Sequence, residues 1–270
     1  KYLFQTNDHH LLESVSMVDK SNRHTVCVSS QSGCNLGCDF CATAKMGLLK
    51  NLSAGEIIDQ LIMIRSLSNQ RIDNVVYMGM GEPFLNYRNV IKSAKILNDK
   101  KGFNISVNKI TISTVGIVSK IQQFIHDNEQ FGLAISLNAP NDNIRDIIMP
   151  INQKWPIKDL ININKSYVKN NKRKKITFEY VLMDGINSSQ KDALELVKIL
   201  QSAKCKVNII PYNETDGKYK RPSDETINEF IKILSLHNNN NFQIMVRWSN
   251  GVDIDAGCGQ LAIKNNHKGE

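Results

Sequence analysis

Cys34, Cys38 and Cys41 stand in the spacing C-x-x-x-C-x-x-C. Three thiolates so placed can hold three irons of a [4Fe-4S] cube and leave the fourth iron without a protein ligand. An open iron on a reducing cluster can chelate and activate a small molecule, so the motif points to radical chemistry. Other readings compete. A structural zinc ion takes four protein ligands, usually as two C-x-x-C pairs; here the close group has three members, and the nearest histidine, His24, lies outside it. A disulfide framework suits short secreted chains rather than 270 residues with 41% hydrophobic content. Single thiols can pack as small hydrophobes, but these three are flanked by Gly33, Gly37 and Asp39, which do not read as core.

Three more cysteines lie elsewhere. Cys205 opens an apolar run (Cys205-Lys-Val-Asn-Ile-Ile210) and reads as structural. Cys27 lies inside an apolar run ahead of the motif, and its surroundings leave both a structural and a chemical role open. Cys258 sits in Asp253-Ile-Asp-Ala-Gly-Cys-Gly-Gln-Leu261. Its flanking glycines and acids predict a thiol on an exposed, mobile turn, where a chemical role outweighs a packing one.

The elements that must position these residues alternate. Strands are predicted at Thr25–Ser30, Asn74–Gly79, Lys109–Ser113, Gly132–Leu137, Ile176–Leu182, Lys206–Pro211 and Gln243–Val246, each rich in Val, Ile or Phe. Helices fall between them. Ser53-Ala-Gly-Glu56 is a capping box ahead of Ile57, Ile58, Leu61 and Ile62 at helical spacing. Further helices are expected around 87–99, 116–127, 157–170, 188–202 and 223–236. This βα alternation predicts a parallel sheet with right-handed crossovers, open or barrel-like. The expected organisation is a short β-rich lead-in at 1–24, one core domain at 25–263 and a tail at 264–270.

In such folds chemistry gathers at the carboxyl ends of the strands. Five ends are notable here: the cysteine motif itself, Gly79-Met-Gly-Glu-Pro83, Ser113-Thr114, Ser136-Leu-Asn138 and Pro211-Tyr-Asn213. Ser113, Ser136 or Asn213 alone reads as a cap or turn residue. The glycine-rich segment is harder to dismiss, because glycine lets backbone approach a ligand and Glu82 adds a carboxylate beside it.

Charge bounds the partners. Thirty-four basic against 26 acidic residues leave a net charge of +8, which favours a polyanion such as RNA. Lys172-Arg-Lys-Lys175 and Lys218 to Arg221 concentrate that charge, and each run alone equally fits a solvated loop or helix end. No apolar run approaches the roughly 20 residues of a membrane span. No signal peptide opens the chain, so a reducing cytoplasm is the expected setting.

Several segments taken together resemble one family. Cys27-Val-Ser-Ser-Gln-Ser-Gly-Cys-Asn-Leu-Gly-Cys-Asp-Phe-Cys41, Met78-Gly-Met-Gly-Glu-Pro-Phe-Leu-Asn86, Ile112-Ser-Thr-Val-Gly116, Ala134-Ile-Ser-Leu-Asn-Ala-Pro-Asn141, Met149-Pro-Ile-Asn152 and the Cys258 segment run in the order found in the RlmN/Cfr family of radical SAM RNA methyltransferases. The resemblance implies a partial (β/α)6 barrel, a [4Fe-4S] cluster on Cys34, Cys38 and Cys41, and S-adenosylmethionine (SAM) chelated at the open iron. It places Gly81, Glu82, Ser113, Ser136, Leu137, Asn138 and Asn213 against SAM, with Glu82 facing the amino group. Asn138 stands where the family usually has His.

The implied mechanism uses SAM twice. Cys258 first takes a methyl group; a second SAM yields a 5′-deoxyadenosyl radical that removes hydrogen from that methyl. The carbon radical adds to an adenine of RNA, Glu13 takes the ring proton, and Cys27 attacks the Cys258 sulfur, forming a transient disulfide that releases product. The implied substrate is an adenine of large-subunit ribosomal RNA, methylated at C2, with an adenine of the tRNA anticodon loop as a further target. A flavodoxin-type reductant and a monomeric enzyme are also implied. C8 methylation is the alternative within the chemistry, and a non-catalytic iron–sulfur or zinc RNA-binding module the alternative outside it. The family also carries an N-terminal accessory domain that these residues do not match, so the chain is expected to be truncated or to grip RNA differently.

Overall fold

The computed structural model describes residues 1–170, 174–239, 241–248, 251 and 254–263. Lys172 and Arg173 of the first basic run, Asp253 and the 264–270 tail lie outside these.

The chain opens with an antiparallel pair, β1 (Tyr2–Gln5) and β2 (Leu11–Val18), and β2 runs antiparallel to β3 (His24–Cys27). The lead-in is therefore one edge of the main sheet. A separate hairpin follows, β4 (Gln31–Cys34) against β5 (Gly47–Asn51), and carries the cysteine motif between its strands. Then come α1 (Ala54–Ser68), β6 (Asn74–Tyr77), α2 (Tyr87–Asn98), β7 (Ile110–Thr114), α3 (Val118–His126) and β8 (Gly132–Ser136). The second half holds α4 (Asp142–Ile148), α5 (Ile157–Asn170), β9 (Thr177–Leu182), α6 (Gln190–Leu200), β10 (Lys206–Pro211), α7 (Asp224–His237) and β11 (Gln243–Val246).

From β3 to β11 every neighbouring pair is parallel, in the order β3-β6-β7-β8-β9-β10-β11. Each of the first six of these strands returns through a helix, which makes the (β/α)6 partial barrel. Except for edge strand β11, which has no buried residue, the parallel strands are largely buried, as strands sandwiched between helices and an interior must be. On β9, Phe178, Tyr180 and Leu182 alternate with Glu179 and Val181, and the latter two line the interior cavity. The helices bury one stripe each: Val118, Ile121 and Phe124 on α3, and Ile227, Phe230 and Leu234 on α7. Among the described residues no helix is long and apolar enough to cross a membrane.

The helices begin where local signals place them. Ser53 Oγ accepts from Glu56 N at 3.2 Å while Ser53 N donates to Glu56 Oε2 at 2.8 Å, the reciprocal capping box. Strand ends differ from expectation, and for a reason. The strand expected at Thr25–Ser30 ends at Cys27; Val28 N still donates to Val76 O at 3.0 Å, and beyond it buried Gln60 of α1 takes over Ser29, its Oε1 accepting from Ser29 N at 2.9 Å and its Nε2 donating to Ser29 O at 3.0 Å. Likewise Asn74–Gly79 ends as a strand at Tyr77, and the glycine segment is freed to form the cavity wall. The β4–β5 hairpin and α4 add to the expected elements. The α4 cap was available locally, since Asn141 Oδ1 accepts from Ile144 N at 3.0 Å.

Candidate active site

One cavity of about 980 Å³, its open side included, lies at the carboxyl ends of the strands. Cys34, Cys38 and Cys41 line it; so do Gly81, Glu82, Ser113, Ser136 and Asn138 from the ends of β6, β7 and β8, and Glu179, Arg247 and Cys258 from the second half of the chain. A sheet whose sixth and eleventh strands face one cavity must curl around it.

The cysteine loop is fixed at both ends. Cys34 closes β4, Cys41 N donates to Cys38 O at 3.1 Å, and Asp39 N donates to Ile148 O at the end of α4 at 3.0 Å. All six cysteines are free thiols. Burial pushes Cys34 up to about 11 and raises Cys38 and Cys41; the triad's own charges add to the effect at Cys34 and Cys38, and the charge of Cys258 adds to it at Cys41. Three thiolates can ionise together here only beside concentrated positive charge, which a group of iron ions supplies. Among the described residues no three of His, Cys, Asp and Glu converge on a point that would hold a single ion. A cubane asks for something else, since each thiolate takes a different iron. The triad fits that group.

Glu82 is buried at the neighbouring wall. Its Oε1 accepts from Phe84 N at 2.9 Å and its Oε2 from Val115 N at 2.9 Å, while its own N donates to Gln31 Oε1 at 2.7 Å. Burial pushes its carboxyl up to about 7, against the hydrogen bonds from Thr114, Val115 and Phe84. A buried carboxylate so placed is stabilised by an arriving ammonium. Gly81 beside it has φ +93°, and a Cβ there would stand 2.4 Å from Gln31 Cβ, so only glycine brings the backbone this close.

Arg145 of α4, wholly buried, holds the rim together. Its Nε donates to Leu137 O at 3.0 Å, Nη1 to Asn152 Oδ1 at 2.8 Å and Trp155 O at 3.1 Å, and Nη2 to Val115 O at 2.7 Å and Ser136 O at 3.0 Å. Burial pulls its guanidinium down to about 10, so it stays charged at neutral pH. Asn152 is itself oriented, Nδ2 donating to Asp146 Oδ1 at 2.7 Å.

Cys258 is half-buried, and its turn is pinned rather than loose, contrary to the expectation from its glycines. Asn213 Nδ2 donates to Cys258 O at 3.1 Å, Ala42 N to Gly259 O at 2.8 Å, Thr43 Oγ1 to Leu261 O at 2.5 Å, and Gln260 Nε2 to Glu214 O at 2.9 Å. A Cβ on Gly257 would stand 2.7 Å from the Asn213 amide, so the glycine serves close approach. Cys27, buried at the end of β3, is near enough for its charge and that of Cys258 to act on each other. Burial, then Cys258, pushes the Cys27 thiol up to about 12, with Arg247 opposing. Arg247 just after β11 joins this group: Cys258 foremost, then Glu179 and Cys27, hold its guanidinium above its ordinary value against burial. Burial also raises Glu179, which accepts from Asn208 Nδ2 at 2.7 Å.

A family model for the radical SAM superfamily matches residues 28–197. The probable dual-specificity RNA methyltransferase RlmN of Pseudothermotoga lettingae is 43% identical over 265 residues, which span 98% of this chain and 76% of the relative. The dual-specificity RNA methyltransferase RlmN of Desulfosudis oleivorans is 45% identical over 266 residues, 97% of this chain and 70% of the relative. The chain belongs to the RlmN family of radical SAM RNA methyltransferases. The crystal structure of a radical SAM methyltransferase from Sphaerobacter thermophilus matches with a TM-score of 0.90 at 43% identity, over 96% of this chain and 76% of that one. Streptococcus suis SuiB bound to S-adenosylmethionine, 17% identical with a TM-score of 0.59, shares the fold alone. The radical SAM superfamily uses a [4Fe-4S] cluster and SAM.

The residues that the RlmN resemblance assigns to cofactors divide by position. Cys34, Cys38, Cys41, Gly81, Glu82, Ser113, Ser136 and Asn138 face the cavity. The Leu137 side chain is instead packed in the hydrophobic core, and its N and O are taken by Glu179 O and Arg145 Nε. Asn138, at φ +57°, spends its amide inside the wall: Oδ1 accepts from Val181 N at 2.9 Å and Nδ2 meets Met149 Sδ at 3.3 Å. Asn213 stands in an adjoining groove and reaches the site through the Cys258 carbonyl. Glu13 lies on β2, where its Oε2 accepts from Ala262 N at 3.1 Å and its Oε1 pairs with Lys1 Nζ at 2.9 Å. Arg145, Glu179 and Arg247 were not foreseen. Glu179 carried a signal, a charge inside the apolar run Ile176-Thr-Phe-Glu-Tyr-Val-Leu182.

Two substitutions test this wall. Arg145→Lys cannot supply five donors, so stability should fall by about 3 kcal/mol through orphaned carbonyls, read as a melting temperature lower by roughly 6–12 °C. An unchanged melting temperature would show that the clamp is dispensable. Glu82→Gln removes the charge and keeps the shape; SAM affinity measured by equilibrium dialysis on the cluster-loaded protein should drop by roughly 10- to 100-fold, the scale of one charged hydrogen bond.

Proposed function

We propose that this protein methylates C2 of an adenine in large-subunit ribosomal RNA, and of an adenine in tRNA, through a methyl group carried on Cys258. The observation that carries this reading is the placement of two further thiols, Cys258 in the wall of the cavity that holds the cysteine triad and Cys27 close behind it. A cluster-holding site that only bound SAM has no use for either. Adenine C2 carries neither an acidic proton nor a nucleophilic lone pair, so ordinary displacement from SAM cannot reach it.

When bound, the cluster and SAM supply the methyl group and the means to break an unactivated C–H bond. The chain's own residues do the rest. Cys34, Cys38 and Cys41 hold the cluster, and Glu82 takes the ammonium of SAM. Arg145 keeps the strand-end backbone in one arrangement. Cys258 accepts the methyl group as a nucleophile. Once its methylene carbon is joined to the ring, the adduct radical must lose one electron, for which the bound cluster would be the acceptor, and Glu13 takes the C2 proton. Cys27 then attacks the Cys258 sulfur: an S–S bond forms, the S–CH₂ bond breaks, and its electron pair passes to the base, which gains a proton to become the methyl product. The disulfide left behind is reset by exchange with an external thiol, and a flavodoxin-type donor is proposed to supply the electron that the cluster needs. The enzyme is proposed to act as a monomer in the cytoplasm, where its RNA substrates are.

Cys27 must lose its proton to attack, and burial opposes that. In the adduct Cys258 is alkylated and uncharged, so its contribution disappears while that of Arg247 remains. Cys27 still starts well above neutral pH, so its reactive fraction grows as pH rises.

Anaerobic reconstitution tests the reading. The cluster spectrum should change on adding SAM, reduction should yield 5′-deoxyadenosine, and mass spectrometry should place a methyl on C2 of adenine. Bound zinc with no SAM response would sink the whole reading; a methyl on C8 would move the target and keep the chemistry. Cys27→Ala should trap a covalent protein–RNA adduct, whereas Cys258→Ala should give neither adduct nor methylated RNA. In the wild type, adduct decay should speed up between pH 7 and 9 by about tenfold per unit while the thiol is mostly protonated. A flat profile would remove Cys27 from the release step.

A further inference from the structure

A second groove adjoins the catalytic cavity across the Cys258 turn, lined by Asn213, Glu214, Arg221, Trp248, Asp255 and Gln260. The two share a wall. Asn213 Nδ2 donates to Cys258 O at 3.1 Å, and Gln260 Oε1 accepts from Gly257 N at 3.0 Å. Trp248 directly follows Arg247, which faces the cavity, yet Trp248 is 51% exposed. Its ring has a cation behind it: Arg221 Cζ lies 5.9 Å from the ring centroid. Arg221 is itself held, Nη2 donating to Asp224 Oδ1 at 2.6 Å.

We propose that Trp248, backed by Arg221, is a stacking platform for an unpaired nucleobase next to the adenine being methylated. This rests on the RNA methyltransferase reading. Three features select a base as the occupant. A target base can enter a closed cavity only after leaving its stack, which uncovers the faces of its neighbours, and an indole beside the cavity mouth replaces the lost contact. The Glu214 carboxylate, exposed in the groove, repels phosphate but accepts exocyclic amines of a base. Exposed Lys220 precedes Arg221 on the same loop, Lys218 nearby pairs with Asp39, and the chain carries a net charge of +8, so the backbone phosphates find a net cationic surface.

The test uses the cluster-loaded protein and a transcript of the peptidyl-transferase region of large-subunit ribosomal RNA, with abasic nucleotides scanned through positions flanking the methylated adenine. Trp248→Ala should weaken binding by roughly tenfold, within the range of one lost stacked base, and Trp248→Phe should restore most of it. At one flanking position the abasic transcript should lose a similar factor, and there Trp248→Ala should cost nothing more. If Trp248→Ala binds within about twofold of wild type, or its loss multiplies with that of every abasic position, while wild type still methylates, the platform falls and the methyltransferase stands. If wild type methylates no RNA, both fall. If wild type sediments as a dimer that Trp248→Ala dissociates, the surface is a contact between copies and the platform is overturned.

Discussion

A parallel sheet delivers its strands to one end and there leaves peptide groups that no neighbouring strand can satisfy. The guanidinium of Arg145 resolves this for the most crowded part of the rim. It gathers the carbonyls of Val115, Ser136, Leu137 and Trp155, which belong to three separate connections, onto one buried cation. Water could satisfy the same carbonyls, but it would also occupy the cavity and move with each ligand. A fixed cation leaves the wall dry and in one arrangement, which is how an electrostatic site is preorganised. The cost of burying a charge is offset only because all five hydrogen bonds are made.

The clamp also reaches the residue proposed to bind SAM. Val115 O accepts from Arg145 while Val115 N donates to Glu82, at 2.7 and 2.9 Å. One backbone residue therefore lies between a buried cation and a buried carboxylate. A second charged group lines the cavity: Asn208 on β10 donates to Glu179 on β9 at 2.7 Å, and Arg247 after β11 feels the charges of Cys258, Glu179 and Cys27. The cavity thus has Glu82, held by backbone N–H donors, in one part of its wall, and Glu179 with the Arg247 guanidinium near Cys258 in another. In a low-dielectric interior that separation governs which protonation states are tolerated.

Much of this was legible in the sequence, and what was not has a common cause. Apolar runs of strand length and amphipathic stretches gave the parallel strands and their helices to within a few residues, because both periods are local. Cysteine spacing identified the triad, since its ligands lie close together in sequence. Glu82 was visible through the glycines beside it. Arg145 was not, because in Asp142-Asn-Ile-Arg-Asp-Ile-Ile148 it reads as one more polar residue of a surface helix. Its partners are carbonyls, which have no side-chain signature. The Cys258 turn was misjudged for the same reason. Its glycines suggested freedom, but its pins come from Thr43 and Asn213, 218 and 45 residues away from the groups they bind. Strand ends were misplaced where a distant side chain such as Gln60 replaces the ladder.

The two thiols outside the triad are held by unlike means, and the difference suits unlike roles. Cys27 ends a strand with neighbours on both sides, Val15 of β2 and Val76 of β6. Moving it would break a ladder in the middle of the sheet. Cys258 sits on a turn held by a few individual hydrogen bonds, each worth about 0.5–1.5 kcal/mol net. Such a turn can shift within its pins while the sheet stays rigid. In the proposed chemistry the travelling group must be the one that carries the methyl, since it meets SAM, then the base, then the resolving thiol. On that proposal the carrier lies on a turn held by individual hydrogen bonds and the resolving thiol on a strand held by two ladders, so the smaller rearrangement is asked of the sheet and the larger of the turn.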